Sequence, residues 1–327
     1  MKALTYMNYG KPSSIFKLKE VDNPLPKENE ILVKVHATTV NRTDEGLVTA
    51  RYFVSRLFTG IFRPKRQVPG TDFAGEVIKK GSNVITFKVG DKVFGFNDEI
   101  LSSHAEYLSI DEGAGIVQIP NGLSYESAAA SCEGAHYALN FINKVKLLKG
   151  QKVLVNGATG AIGSAAVQLL RNEGLEVTAT ANTRNITLVE SLGATRVIDY
   201  TKEDFTKVSD TYDFIFDTVG KSTFLKCKPL LKPKGVYISS ELGAYGSNLW
   251  LSLTTPLMGG KRVKFPVPRK IKQSLELIKR LITEGKFTAV IDRTYSFEAI
   301  IEAYDYVASG QKTGNVVIKI TSEEDMA

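Results

Sequence analysis

The sequence predicts an α/β protein in which a β-rich segment precedes a doubly wound parallel sheet. From Met1 to about Gly122, apolar and polar residues alternate between turn-like stretches, a pattern typical of half-buried strands. The stretch from Lys152 to Leu170 then reads as a strand, a glycine turn and a helix. After it, strand-like runs alternate with helical stretches, which predicts a parallel sheet with ligands at the carboxyl ends of its strands.

A chain of 327 residues suits two domains rather than one small core. We place the first domain at residues 1–122 and the doubly wound domain at 123–267. Residues 268–327 contain two helical patterns and a closing strand, NVVIKI. From the residues alone, this last part either extends the second domain or returns to the first.

The glycine turn is the strongest signal of a ligand. Gly157, Gly160 and Gly163 stand three apart between a buried strand pattern and an amphipathic helix pattern. Free N–H groups and the dipole at a helix N-terminus bind a pyrophosphate, and glycines let it approach. The spacing differs from the commoner G-x-G-x-x-G, so a turn without a ligand is the alternative. The candidate cofactor-binding residues of the turn are Gly157, Ala158, Thr159, Gly160, Ala161, Ile162 and Gly163.

The end of the next predicted strand bears on the choice of cofactor. An NAD site usually places Asp or Glu there, about twenty residues past the glycines, to accept from the ribose 2′-hydroxyl. This chain has Asn182, Thr183, Arg184 and Asn185 instead. Because an arginine, a hydroxyl and amides can bind a 2′-phosphate, we predict NADPH, with an ordinary polar loop as the alternative.

Further candidates follow other strand ends. Tyr200 ends the third strand of the series and is expected beside the same ribose phosphate. Since ligands of such sheets lie at the carboxyl ends of the strands, we also assign four later residues to the cofactor. These are Thr218, Val219, Leu242 and Gly243.

Composition limits the class of protein. Hydrophobic residues at 43% and charged residues at 24% describe an ordinary globular chain. Cys132 and Cys227 match no disulfide or metal spacing, and neither a membrane span nor the apolar core of a signal peptide is visible, so we expect a cytoplasmic protein without a membrane partner. The net charge of +7 comes from scattered residues without a basic-aromatic motif, so we do not expect nucleic acid.

The order of these parts resembles the medium-chain dehydrogenase/reductase superfamily over nearly the whole chain. The resemblance rests on VPGTDFAGEV, VGDKVFGF, NGATGAIG, ESLGATRVIDYTKEDF, FDTVG and GNVVIKI, and VNRTD is similar to the active-site segment of zinc-free quinone oxidoreductases. It implies a GroES-like catalytic domain at 1–122, a Rossmann NADP-binding domain at 123–267, and a return of 268–327 to the catalytic domain. It also implies a homodimer formed through the sheet edge near residues 262–268.

The same resemblance bears on metal. Zinc-using relatives have a cysteine in the segment corresponding to VNRTD, a His-Glu pair in that corresponding to GTDFAG, and a further ligand near SCEGAHY. This chain has Asn41 and the pair Thr71-Asp72 at the first two places. A zinc site needs three or four converging donors, and the histidines and Cys132 are not spaced to supply them. We therefore predict no metal.

Without zinc, hydrogen-bond donors must polarise the substrate carbonyl. The resemblance implies that Asn41 and Tyr52 do so, by stabilising an oxyanion. The alternatives are that Asn41 is a turn residue and that Tyr52, in a long segment rich in aromatic residues, only fills the core. Relatives have Gly-x-Thr-Ala where this chain has Gly134-Ala135-His136-Tyr137, so His136 or Tyr137 is a candidate to replace the threonine.

These features together predict an NADPH-dependent, zinc-independent reductase that transfers hydride to a quinone or an α,β-unsaturated carbonyl. An alcohol or aldehyde dehydrogenase is one alternative, which the missing zinc ligands oppose. A non-catalytic nucleotide- or RNA-binding member of the fold is another, which the positive charge keeps open.

Overall fold

The computed structural model describes residues 1–50, 56–97 and 102–320. Its strands are β1 Lys2–Thr5, β2 Lys17–Glu20, β3 Glu30–Val40, β4 Asp72–Lys80, β5 Lys92–Phe96, β6 Tyr107–Asp111, β7 Ile116–Gln118, β8 Lys152–Asn156, β9 Glu176–Ala181, β10 Arg196–Asp199, β11 Tyr212–Asp217, β12 Leu231–Ser239, β13 Arg262–Lys264, β14 Ile291–Ser296 and β15 Asn315–Lys319. Its helices are α1 Pro12–Ile15, α2 Arg42–Val48, α3 Arg56–Thr59, α4 Tyr125–Ala130, α5 Glu133–Ile142, α6 Ala161–Asn172, α7 Ile186–Ser191, α8 Phe224–Cys227, α9 Ser247–Thr254, α10 Ile271–Thr283 and α11 Ile300–Ala308.

The chain forms two compact units. The first takes in Met1–Glu133, Ile271–Thr283 and Thr288–Ala327, and the second Gly134–Lys270 and Glu284–Phe287. Residues 123–133, which follow the boundary expected at 122, pack with the first unit because α4 lies against β3 and β4.

The first unit is built around β3, which pairs antiparallel with β4, β6 and β15. Ile31, Val33 and Val35 alternate along it and are at most 1% exposed, as their period of two predicts. Because β15 is hydrogen-bonded to β3, the last strand of the chain lies in the sheet of the first unit, in the order β14-β15-β3-β4-β5-β7.

The second unit confirms the predicted doubly wound sheet. Its six strands are parallel and run in the order β10-β9-β8-β11-β12-β13. Chain order therefore reverses direction between β8 and β11, the point at which sheets of this type bind ligands. The helix after the glycine turn is α6, which buries most of its residues and ends before Gly174, whose φ is 76°.

Local differences from the predicted elements have simple causes. The segment that follows residue 123 forms two helices, α4 and α5, with Ser131 as the C-cap of α4. At the sheet edge expected near residues 262–268, the strand ends at Lys264, because Pro266 and Pro268 cannot donate to a ladder. The second helical pattern of residues 268–327 begins as a 3₁₀ turn at Phe297, and Ser296 makes no side-chain cap bond there. Over the described ranges, no helix combines the length and apolarity needed to cross a membrane.

Candidate cofactor and active sites

Two of the three glycines in the turn after β8 are required by the backbone and by packing. Gly157 has a φ of 85°, and a Cβ there would lie 2.4 Å from Cγ1 of Val219. A Cβ on Gly163 would lie 2.2 Å from the carbonyl oxygen of Gly157. Both distances are far below van der Waals contact, so any side chain would push α6 away from the turn.

Gly160 differs from the other two. It is the N-cap of α6 with an ordinary φ of −74°, and a Cβ there would meet only the Gly157 carbonyl oxygen, at 3.6 Å. Neither strain nor packing therefore explains the glycine. Its missing side chain leaves open the approach to the first N–H groups of a 12-residue helix, which is what a phosphate group needs.

A buried polar network fixes the turn. Asn156 at the end of β8 accepts from Oγ1 of Thr180 on β9 at 2.8 Å and donates to Asp217 on β11 at 2.9 Å. The same Thr180 oxygen accepts from the backbone N–H of Gly157 at 2.9 Å. Asp217, which is fully buried, also accepts from the Tyr237 hydroxyl on β12. Side chains from four strands thus hold the start of the turn in one position.

The residues predicted after β11 join this turn. The Thr218 hydroxyl donates to the carbonyl oxygens of Asn156 and Gly157, at 2.9 and 3.2 Å, so it holds the turn together. Val219 packs against Gly157. Leu242 and Gly243 follow β12 at the same edge of the sheet, where the Leu242 carbonyl accepts from Asn248 N–H.

The end of β9 has an acidic neighbour that the local sequence does not show. Asp199 is the register partner of Ala181, the last residue of β9. Its carboxylate accepts from the Thr183 hydroxyl at 2.5 Å and from the Thr201 hydroxyl at 2.6 Å. The sequence interpretation that no carboxylate lies here is therefore wrong: the neighbouring strand supplies one. Thr183 has given its only hydroxyl hydrogen to Asp199.

The other residues predicted around the ribose lie on the same edge. Arg184 is exposed, and Tyr200 is half exposed with its N–H donating to the Ala181 carbonyl. The amide oxygen of Asn182 is buried and has no hydrogen-bond partner among the described residues. An unpaired buried acceptor is costly, so a donor from a ligand would stabilise it.

In the first unit, Asn41 is the N-cap of α2. Its Oδ1 accepts from Asp44 N–H at 2.9 Å, and Asp44 returns a bond to the Asn41 N–H, which completes a capping box. Its Nδ2 donates to Thr71 Oγ1 at 3.0 Å and more weakly to Asp72 Oδ2 at 3.4 Å. The side chain is buried, and both ends of the amide are bonded within the unit.

A buried acidic cluster surrounds Asn41, and sequence reasoning missed it. Asp44 and Asp72 are each 1% exposed and Glu133 is 5% exposed. Asp72 accepts from the Thr39 hydroxyl at 2.6 Å and from the Glu133 N–H at 3.0 Å. Asn41 and Asp44 of VNRTD, Asp72 of GTDFAG and Glu133 of SCEGAHY therefore come together in this unit.

Burial raises the pKa of each of these carboxyls. Desolvation raises the pKa of Glu133 and Asp44 well above the usual range, and the charge of Asp72 adds to this effect. The positive charge of Lys312 acts on Asp72 and Glu133, and burial lowers the pKa of Lys312. One lysine cannot balance three ionised carboxyls away from water, so the cluster retains protons near neutral pH.

The last predictions to compare with the structure concern Tyr52, His136 and a metal. Tyr52 lies outside the described residues. His136 is fully buried, and desolvation lowers its pKa to about 4, so it is neutral at pH 7. Over residues 1–50, 56–97 and 102–320, no group of three or more histidine, cysteine, aspartate or glutamate side chains is arranged to hold a metal ion.

Comparison with known proteins identifies the family. Residues 27–131 match the model for the alcohol dehydrogenase GroES-like domain, and residues 192–318 match that for zinc-binding dehydrogenase. The 2-methylene-furan-3-one reductase of Solanum lycopersicum is 31% identical over 97% of this chain and 79% of its own length. The chain belongs to the medium-chain dehydrogenase/reductase superfamily.

Two further matches place the chain in the quinone oxidoreductase-like branch. The NADPH-dependent alkenal/one oxidoreductase of Arabidopsis thaliana is 29% identical over 97% of this chain and 79% of its own length. The structure of the quinone oxidoreductase from Coxiella burnetii has a TM-score of 0.86 and 27% identity, over 98% of this chain and 99% of that one. The predicted fold class, GroES-like and Rossmann domains, and the prediction of an oxidoreductase are confirmed. A nicotinamide cofactor belongs to this family.

The acidic cluster leads to a prediction on stability and pH. Burial raises the pKa of Asp72 to about 7, whereas an unfolded aspartate titrates near 4. The folded state therefore binds more protons between these values, and the stability that Asp72 contributes is lost as pH rises through about 7. We expect Asp72→Asn to flatten the fall in unfolding free energy between about pH 4 and 7, by up to about 1.4 kcal/mol per pH unit.

Denaturant unfolding over this pH range measures the slope. Asp111→Asn is the matched control, because Asp111 is an exposed carboxyl of the same unit. Equal slopes for wild type and Asp72→Asn would show that Asp72 is not a proton-holding group.

Proposed function

We propose that the protein is an NADPH-dependent, zinc-independent reductase of quinones or α,β-unsaturated carbonyl compounds. The proposal rests mainly on Gly160. Neither the backbone conformation nor the packing requires a glycine at this position, and the missing side chain leaves the N-terminus of α6 open. The names of the relatives support the substrate class, since a furanone, an alkenal and a quinone all contain a conjugated carbonyl.

The second unit is proposed to hold the cofactor. The turn residues Gly157, Ala158, Thr159, Gly160, Ala161, Ile162 and Gly163 would face the pyrophosphate, and Asn182, Thr183, Arg184 and Tyr200 the adenosine ribose. Thr218, Val219, Leu242 and Gly243 would line the rest of the strand ends. The orphaned acceptor of Asn182 and the open approach at Gly160 fit a dinucleotide. When bound, NADPH supplies hydride, and the protein supplies binding, orientation and electrostatics.

The first unit is proposed to polarise the substrate carbonyl, through Asn41 and Tyr52. The amide of Asn41 is held by its capping box and by Thr71, which fixes its direction. Its contact with Asp72 is the long one, at 3.4 Å, so the N–H that makes it is the one available to a carbonyl oxygen. Exchanging this long contact for a carbonyl oxygen leaves the rest of the amide in place, so the donor is largely positioned before charge develops.

A homodimer is part of the proposal, through the edge of the sheet near residues 262–268. β13 ends the sheet in the described part of the chain, and α9 packs beside it. Leu251 on the inner face of α9 packs into the core, while Trp250 and Leu253 are 68% and 66% exposed. A helix with apolar residues on both faces is normally buried on both, so we expect a second copy of the chain to cover the outer face of α9. Sedimentation of the whole chain at the mass of a monomer would contradict a dimer.

The cytoplasm remains the proposed compartment. Both cysteines, Cys132 and Cys227, are free and buried, as in proteins of reducing surroundings. Location of the tagged chain in an organelle or outside the cell would contradict this.

The activity test is oxidation of NADPH with a panel of quinones, enones and, in reverse, alcohols. We expect turnover with quinones or enones and equal rates before and after exhaustive chelation, because the first unit offers Asn41 and Thr71 where zinc relatives have ligands. Activity on alcohols alone, or one zinc per chain whose removal abolishes the rate, would overturn the proposal. Binding without any turnover would favour a nucleotide-binding scaffold.

Arg184 tests the choice of NADPH. A charge-assisted hydrogen bond contributes about 1.5–3 kcal/mol, and the exposed position places this one in the lower half of the range. We therefore expect Arg184→Ala to weaken NADPH binding roughly tenfold to thirtyfold and to leave NADH binding and kcat nearly unchanged. Titrations of both cofactors at fixed ionic strength measure this.

Lys207→Ala is the control for Arg184→Ala, since it removes an exposed positive charge elsewhere in the same unit. It should leave both affinities unchanged. Equal weakening of NADPH and NADH by Arg184→Ala would mean that Arg184 acts through structure.

Asn41 tests the carbonyl-polarising role. In Asn41→Ser the hydroxyl oxygen can still cap α2, but the amide N–H groups are gone. Asn41→Ser also loses the bonds to Thr71 and Asp72, so its stability should fall by about 1–3 kcal/mol. If the amide polarises the substrate, kcat of the folded enzyme should in addition fall about tenfold to a thousandfold. Asn41→Ala should lose about 1 kcal/mol of stability in addition. An unchanged kcat in Asn41→Ser would restrict Asn41 to capping.

A further inference from the structure

Asp199 is fixed beside the end of β9 by tertiary structure. Besides the two threonine hydroxyls, its Oδ1 accepts from the Thr201 backbone N–H at 3.0 Å, and Lys202 lies 3.5 Å from its Oδ2. The side chain is 8% exposed. The carboxylate therefore stays in one position against the loop that begins at Asn182.

The charge of Asp199 persists at every working pH. The hydroxyl groups of Thr183 and then Thr201 lower its pKa to about 2, and Lys202 acts in the same direction. A carboxylate at the end of the second strand of a dinucleotide-binding sheet accepts from the ribose 2′-hydroxyl. Here the third strand supplies the carboxylate, because β10 is the direct neighbour of β9.

We infer that Asp199 is a residue that determines the specificity for NADPH or NADH, an inference that rests on the proposed function. Its carboxylate accepts from the 2′-hydroxyl of NADH and repels the 2′-phosphate of NADPH. The same edge of the sheet therefore carries two opposed elements, Arg184 for the phosphate and Asp199 for the hydroxyl. The protein consequently binds both cofactors, with a preference for NADPH smaller than Arg184 alone would give.

A second observation agrees with a hydroxyl ligand. The buried Oδ1 of Asn182, one residue past β9, has no hydrogen-bond partner in the described chain. An amide oxygen accepts from a hydroxyl hydrogen. The adenosine ribose of NADH offers one at both 2′ and 3′, whereas that of NADPH keeps only the 3′-hydroxyl and has a phosphate dianion at 2′. Asn182 and Asp199 together provide two acceptors, and only the ribose of NADH has a hydroxyl hydrogen for each of them.

The test compares Kd values for NADPH and NADH in wild type and Asp199→Asn. Asparagine keeps the shape and can still accept from one threonine, but the charge is gone. Repulsion between a carboxylate and a doubly charged phosphate that solvent and salt screen at the surface corresponds to about a fivefold to tenfold effect on affinity. We expect NADPH to bind about fivefold to tenfold tighter and NADH about twofold to fivefold weaker.

Two control variants separate charge from structure. Asp204→Asn removes a carboxylate from the same loop after β10, where it accepts from Thr206 and lies 3.9 Å from the ammonium group of Lys207. It should leave the NADPH to NADH ratio within twofold. Thr201→Val keeps the Asp199 charge while removing one of its donors and should also leave the ratio within twofold. The gain for NADPH in Asp199→Asn should shrink between low salt and about 0.5 M salt, because added ions screen the repulsion.

The outcomes are distinct. The specificity role is overturned if the NADPH to NADH affinity ratio of Asp199→Asn stays within twofold of the wild-type ratio. It is also overturned if Thr201→Val changes that ratio as much as Asp199→Asn does. In both cases the proposed function stands. Wild type that binds neither cofactor overturns the proposed function and this inference with it. Wild type that binds NADPH but shows no measurable NADH binding also contradicts the inference.

Discussion

The second unit depends on the buried hydrogen bonds that Asn156 makes to Thr180 and Asp217. These bonds join β8 to the strands on either side at the point where chain order reverses, and they end on the N–H of Gly157. Each buried donor or acceptor left unpaired would cost about 1–3 kcal/mol, so the network holds one arrangement of the strand ends. The position of the glycine turn, and with it every proposed cofactor contact, follows from this constraint.

Much of the fold could be predicted because it rests on local patterns. Apolar runs separated by helical stretches predicted the parallel sheet, and the spacing of Gly157, Gly160 and Gly163 predicted the turn at its switch point. The alternating Ile31, Val33 and Val35 likewise predicted a strand with one face in the core. These patterns can be recognised without knowledge of tertiary contacts, because the backbone of a strand or a helix itself sets the spacing of residues on one face.

The features that sequence reasoning missed depend on neighbours distant in the chain. Asp199 stands 18 residues past the end of β9, and only the order β10-β9-β8 places it beside Ala181. The usual strand order of a Rossmann sheet, in which the third strand lies beside the second, could have predicted that Asp199 lies near the end of β9. Asp44, Asp72 and Glu133 come from three segments, and no spacing rule predicts that their carboxyls share one dry site. The motif at Asn41 was visible, but its capping box depends on side-chain directions that the sequence does not give.

The pairing of β15 with β3 has a consequence for biosynthesis. On the ribosome, β3 emerges long before residues 315–319. Until β15 is made, the end of β3 that pairs with it in the finished fold, Ala37–Val40, lacks that partner. The sheet of the first unit is therefore closed only after the whole Rossmann segment has been translated. Pairing across such a separation is slow, and a waiting edge invites association with other chains. Nascent chains of this topology are therefore more prone to aggregation than the finished fold, in which β15 fills that edge.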